Sequence, residues 1–144
     1  MRPINRIILH HSLTRDSGTV SWPAIRRYHT ETMHWSDIGY HSGCELIGRT
    51  YECLVGRPIN RPGAHTKGYN EDSLGFCFVG NYDETEPPKE MWNVALERVI
   101  MPWLIEFNLN PDKIFGHCDF ANKSCPGLKF NMREFRNMAW AMYR

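Results

Sequence analysis

Ile7-Ile8-Leu9, three large aliphatic residues running straight into His10-His11, constrain the fold of this chain more than any other segment. A strand that is apolar on both faces belongs in a sheet covered on both sides, so residues 6–10 are expected as a buried strand. Side chains alternate along a strand, and His10 and His11 must therefore project into opposite layers. Leu74-Gly75-Phe76-Cys77-Phe78-Val79 has the same character and predicts a second buried, central strand.

Helical signals lie between the strands. Ser21-Trp22-Pro23 has the form of an N-cap followed by a proline in the first turn, and Trp22, Ile25, His29 and Met33 continue at helical spacing, which predicts a helix ending near Met33. Residues 40–47 and 50–54 flank Gly48-Arg49 as the arms of a hairpin, and residues 55–73 are expected as a surface loop. A wide apolar stripe from Trp92 to Phe107 predicts a long helix after Pro87-Pro88, kinked or split near Arg98 to Pro102 because proline removes a backbone donor. A short strand at 113–116 delivers His117, and Phe135, Met138, Ala139 and Met142 mark a C-terminal helix. The class is α/β, and 144 residues without repeat or linker predict one domain over 1–144.

Composition excludes several functions. Seventeen Lys+Arg against sixteen Asp+Glu leave a formal charge of +1, too little field to gather phosphates, so no nucleic-acid partner is expected. No run reaches the roughly 18 apolar residues of a membrane span, and the opening Met1-Arg2-Pro3-Ile4-Asn5-Arg6 lacks the form of a signal peptide. Five cysteines, an odd number spread thinly, suit synthesis in a reducing cytoplasm. Cys44, Cys53 and Cys77 are expected as buried strand thiols, and His29, His34 and His41 as structural histidines.

The chemistry concentrates in Gly116-His117-Cys118-Asp119-Phe120-Ala121-Asn122-Lys123-Ser124-Cys125-Pro126-Gly127, set against His10-His11. Two imidazoles and one thiolate from distant segments make a three-ligand zinc site with its fourth position open to water, the form of a hydrolytic rather than a structural metal. Spacing alone leaves open which of His10 and His11 faces the metal. Cys118 competes with Cys125 on paper, but adjacent residues in extended chain point apart, so His117 and Cys118 cannot both face inward. No HExxH motif supplies a glutamate base, and the signature of zinc base deaminases is absent.

Five ordered motifs carry a family resemblance: Ile8-Leu9-His10-His11-Ser12, Asp37-Ile38-Gly39-Tyr40-His41, Gly63-Ala64-His65-Thr66-Lys67-Gly68-Tyr69-Asn70, Ser73 to Tyr82, and Gly116-His117 with Lys123-Ser124-Cys125-Pro126-Gly127. Across residues 6–130 the chain resembles the zinc-dependent N-acetylmuramoyl-L-alanine amidases of the phage T7 lysozyme type and their relatives, the peptidoglycan recognition proteins. The resemblance implies a mixed central sheet flanked by helices and a single zinc held by His10, His117 and Cys125, with His11 in the sheet's other layer. It further implies Tyr40 and Lys123 as catalytic groups beside the metal. His65 and Thr66 fall in a motif that lines the substrate cleft of relatives, and Arg57 offers a bidentate contact to a substrate carboxylate.

The implied substrate is bacterial peptidoglycan or its muropeptides, cut between N-acetylmuramic acid and L-alanine. Pro58-Ile59 after Gly56-Arg57 matches neither residue pair that tracks diaminopimelate or lysine walls in recognition proteins. A monomeric endolysin, made in the cytoplasm and acting on the wall after release, is the expected role. A non-catalytic recognition module and a cytosolic recycling amidase are the alternatives.

Overall fold

The computed structural model describes residues 2–14 and 21–143. Its centre is a five-stranded sheet in which β1 (Arg6–His11), β2 (Ser42–Ile47), β3 (Thr50–Val55), β4 (Ser73–Phe78) and β5 (Ile114–Gly116) lie in the order β3-β2-β4-β1-β5. Only the β2–β3 hairpin is antiparallel. β2, β4, β1 and β5 run parallel, and β1 and β4 are buried on both faces as their apolar runs predict. The hairpin turns at Gly48, whose φ of +63° is the left-handed conformation that glycine adopts without strain.

Alternation divides the sheet into two environments. Ile7 and Leu9 of β1, Leu74, Phe76 and Phe78 of β4 and Ile114 of β5 point into one continuous core. That core is closed by α2 (Lys89–Ala95), α3 (Met101–Glu106) and α4 (Met132–Met142), which contribute Met91, Trp92, Leu104 and Phe135 among others. The opposite face carries a smaller cluster of Trp22, Ile38, Cys77 and Val79 under α1 (Trp22–Arg27), with Tyr40 packed against it. Among the described residues no helix is long and apolar enough to cross a membrane.

Several expectations are refined. The helix from Trp22 continues through a wider π-helical turn, Tyr28–Thr32, and stops at Met33 as expected. Ser21, however, does not cap it by its own side chain. The buried Glu45 carboxylate of β2 does so from across the fold, accepting from the Ser21 backbone N–H at 2.6 Å, the Trp22 N–H at 3.2 Å and the Ser21 hydroxyl. A charged acceptor reached through tertiary contact thus displaces the local cap. The long helix is split between α2 and α3 by a π-helical turn, Leu96–Ile100, which leaves Pro102 in the first turn of α3, where a missing N–H is harmless. Cys44 and Cys77 are fully buried, whereas Cys53, on the edge strand β3, is half-buried.

Candidate metal centre

His10 is the penultimate residue of β1, and His117 follows directly on β5, where Leu9 pairs with Gly116. The two imidazoles therefore stand side by side at the carboxyl ends of adjacent parallel strands, where α/β sheets place their ligand sites. Their ring centroids are 4.7 Å apart at 62°. Cys125 comes from the loop that crosses these strand ends and is anchored there by its own backbone and sulfur: its carbonyl accepts from Cys118 N at 2.8 Å, and its Sγ from His11 N at 3.4 Å.

Ligand atoms of His10, His117 and Cys125 all lie within 4.8 Å of one another, and His10 Nδ1 is 3.7 Å from Cys125 Sγ. Donors on one tetrahedral zinc are separated by about 3.3–3.8 Å, so the residues fit such an ion with small adjustment. Cys118 is exposed, and its thiol is not part of the cluster. His11 points into the other layer, where its Nδ1 accepts from Tyr82 N at 3.1 Å and its ring stacks on Tyr82.

Behind His10 lies a hydrogen-bonded chain with a defined direction. If Nδ1 faces the metal, Nε2 bears the proton and donates to His65 Nδ1 at 2.9 Å; His65 Nε2 then faces Ser73 Oγ at 3.4 Å, and that hydroxyl donates to Tyr69 O at 2.6 Å. Thr66 Oγ1 joins the same junction, 2.9 Å from His65 Nδ1 and 3.3 Å from His10 Nε2. Outer partners of this kind fix the tautomer and ring orientation of a ligating histidine. Burial, reinforced by the neighbouring imidazoles, lowers both His10 and His65 well below the usual histidine range, which keeps them neutral and available as donors to a cation. Burial likewise raises the Cys125 thiol to about 12 in the metal-free protein, so a cation is what would make it a thiolate.

The residues expected at the substrate have structural partners of their own. His65 and Thr66 line the cleft, and His65 Nδ1 and Thr66 Oγ1 face His10. Arg57 is elsewhere: its guanidinium donates to the carbonyls of Ile38 (3.0 Å), Pro62 (2.9 Å) and Asp37 (3.1 Å), tying the segment before Tyr40 to the loop before His65. Three part-buried carbonyls thereby gain donors from one planar fork of N–H groups.

Tyr40 lies with its ring centroid 5.2 Å from that of His10. Burial, and then the thiols of Cys77 and Cys125, hold its hydroxyl well above the ordinary phenol range, so it keeps its proton. Lys123 is exposed on the rim of a cleft of ≈ 590 Å³ that it shares with His117, Phe120, Ala121, Trp35 and the 64–68 loop. A second depression of ≈ 540 Å³, over Leu46, Tyr51 and Tyr82, contains none of the clustered donors.

Two supporting residues escaped the sequence reading. Gly75 leaves room for His65: a Cβ there would sit 2.6 Å from the imidazole, a contact no real side chain makes. Asp83 braces the Cys125 loop, accepting from Ser124 Oγ at 3.0 Å and Leu128 N at 2.8 Å. Glycine inside a strand is itself a signal of close approach, and could have drawn attention to position 75. Asp83 has no comparable local mark.

A mixed α/β sheet that gathers two imidazoles and a thiol at adjacent strand ends, beside an open cleft, has the donor set of a single-metal hydrolytic site. The chain belongs to the N-acetylmuramoyl-L-alanine amidase family, whose model matches residues 1–128. It is 40% identical over 128 residues to the endolysin of Escherichia phage T7, covering 85% of this chain and 80% of that protein. The endolysin of Klebsiella phage KP32 is 32% identical over 126 residues, with 86% and 81% covered. Among solved structures, the bumblebee recognition protein PGRP-SA superposes with a TM-score of 0.80 at 32% identity, covering 99% of this chain and 86% of the other.

Proposed function

We propose that this chain is a zinc-dependent endolysin that hydrolyses the amide between N-acetylmuramic acid and L-alanine in bacterial peptidoglycan. The observation that carries the reading is the convergence of His10, His117 and Cys125 within 4.8 Å, with His10 backed by His65. Similarity to phage endolysins over four-fifths of their length supports the lytic role. In this role the chain is made in the cytoplasm, works as a monomer and reaches the wall after release.

His10, His117 and Cys125 would hold the ion, which when bound supplies a Lewis acid and brings water toward a pKa of about 7. His65 keeps His10 in the tautomer that offers Nδ1. Tyr40, protonated at neutral pH, is suited to donate a hydrogen bond to the reacting carbonyl or a proton to the leaving amine. Lys123 reaches from the rim to stabilise negative charge as it develops on the carbonyl oxygen. The cleft floor between Trp35 and Phe120 is left to receive sugar and stem peptide.

The test compares zinc-loaded protein with its Cys125→Ala variant on purified sacculi and on soluble muropeptides. New L-alanine amino termini without new reducing sugar ends, lost in the variant, are expected. Faster turnover of sacculi supports the endolysin role; action on soluble fragments alone would point to recycling, and wall binding without release to a recognition module.

A further inference from the structure

We propose that Cys44 and Cys53 form a redox-convertible pair, closing to a cross-strand disulfide that braces the β2–β3 hairpin when the protein meets a small-molecule disulfide. The two residues are directly opposite in the antiparallel register. Because the turn Gly48-Arg49 has two residues, Ile47 and Thr50 form a hydrogen-bonded closing pair, and three steps further along Cys44 and Cys53 fall on a non-hydrogen-bonded pair. Such pairs bring Cα atoms to about 4.5 Å, inside the range of about 4.4–6.8 Å that a disulfide spans.

Both thiols face the helix-covered core. Cys44 Sγ lies 3.9 Å from Met91 O and Cys53 Sγ 3.8 Å from Val94 O, successive parts of α2, and the thiols hydrogen-bond to each other. Their accessibilities differ in the way that stepwise exchange requires: Cys44 is fully buried, whereas Cys53 is half-buried on the edge strand. The hydrogen bond from Cys44, and then the Arg98 guanidinium, favour the Cys53 thiolate.

The chemistry is thiol–disulfide exchange. The Cys53 thiolate attacks one sulfur of a disulfide RSSR, forming a mixed disulfide and releasing RS⁻. Cys44 then gives up its proton and attacks the Cys53 sulfur, forming the Cys44–Cys53 bond and expelling the second RS⁻. Two protein thiols are oxidised, one RSSR is reduced, and two RSH leave with the two protons.

The bond would act where the site needs support. β2 begins immediately after Tyr40 and His41, and the chain leaving β3 returns to them, Gly56 N donating to His41 O at 3.0 Å and Arg57 N to Tyr40 O at 2.8 Å. β3 is an edge strand, held on one side only. A crosslink at 44–53 therefore secures the strand most prone to fray next to the segment that carries Tyr40.

The experiment uses zinc-loaded protein carrying Cys118→Ser, which removes the exposed thiol, and exposes it under native conditions to oxidised glutathione. Alkylation, digestion and mass spectrometry should find a Cys44–Cys53 linked peptide, two hydrogens lighter than its reduced parts. The thermal midpoint should rise by about 5 °C and fall back on adding dithiothreitol. Cys53→Ser in the same background should lose both the peptide and the shift. Alkylation of both thiols after full exposure to oxidant, a Cys53 adduct that never closes, or a linked peptide with no change in midpoint would each overturn the proposal.

Discussion

The two faces of the central sheet are made from the same strands and held together by different physics. On one face Ile7, Leu9, Leu74, Phe76 and Phe78 meet three helices in a core whose cohesion is apolar burial. On the other, offset by one residue, His10, Cys77, Gly75 and Ser73 meet Tyr40, His65 and His41 through directional hydrogen bonds. The first tolerates changes that keep volume; the second depends on which atom faces which. A helix-covered wall thus gives the catalytic face a rigid back, and the polar residues need only orient one another.

Phe76→Ala breaks the apolar face and has the largest expected effect on stability. The ring is fully buried between Phe78 and Trp103, and its removal should cost about 3–5 kcal/mol, measured by denaturant unfolding. Much of that loss would appear with zinc absent as well as present.

Acid probes the other face. Burial lowers His41 to about 4, its ring sealed between Gly75 N, which donates to Nδ1 at 3.0 Å, and Arg61 O, 2.8 Å from Nε2. The unfolded chain takes up a proton near pH 6.5 that the folded protein refuses until about pH 4, so stability is fully present above pH 6.5 and is lost as pH falls through that window. For His41 alone the loss amounts to about 3 kcal/mol, and His10 and His65 shift in the same direction. Unfolding of metal-free protein across pH 4–7 checks this; a flat profile would show that the buried histidines are not neutral.

His65→Ala tests the support behind His10. Zinc affinity should fall roughly 10–100-fold, read by competition with a chelator, with the sheet intact by circular dichroism. Retained affinity would show that His10 is oriented by packing rather than by its Nε2 partner. Ser21→Ala gives the smallest change: one of three bonds to Glu45 is removed, costing about 1 kcal/mol, and amidase activity should be unaltered.

Much of this was legible in the residues. The apolar runs at 7–9 and 74–79 announced buried strands, Gly48 marked the hairpin, and Pro102 marked the break in the long helix, because each of these signals acts within a few residues of itself. Alternation already separated His10 from His11. The roles of Arg57 and His65 were not legible: a cleft-facing and an inward-facing side chain look the same in sequence, and only the loop from Gly56 to Asp72 folding back on Gly39 and Tyr40 turned them inward.

The division follows from the range of the forces. By itself the sequence determined the strand and helix pattern, the pairing of a histidine with the strand end that presents it, and the set of donor atoms available for a metal. Tertiary structure alone decided that Glu45 caps α1, that Gly75 makes room for the ring behind His10, and that Asp83 holds the Cys125 loop. Propensity and periodicity are local, whereas a hydrogen bond between residues far apart in the chain exists only once packing has fixed both partners.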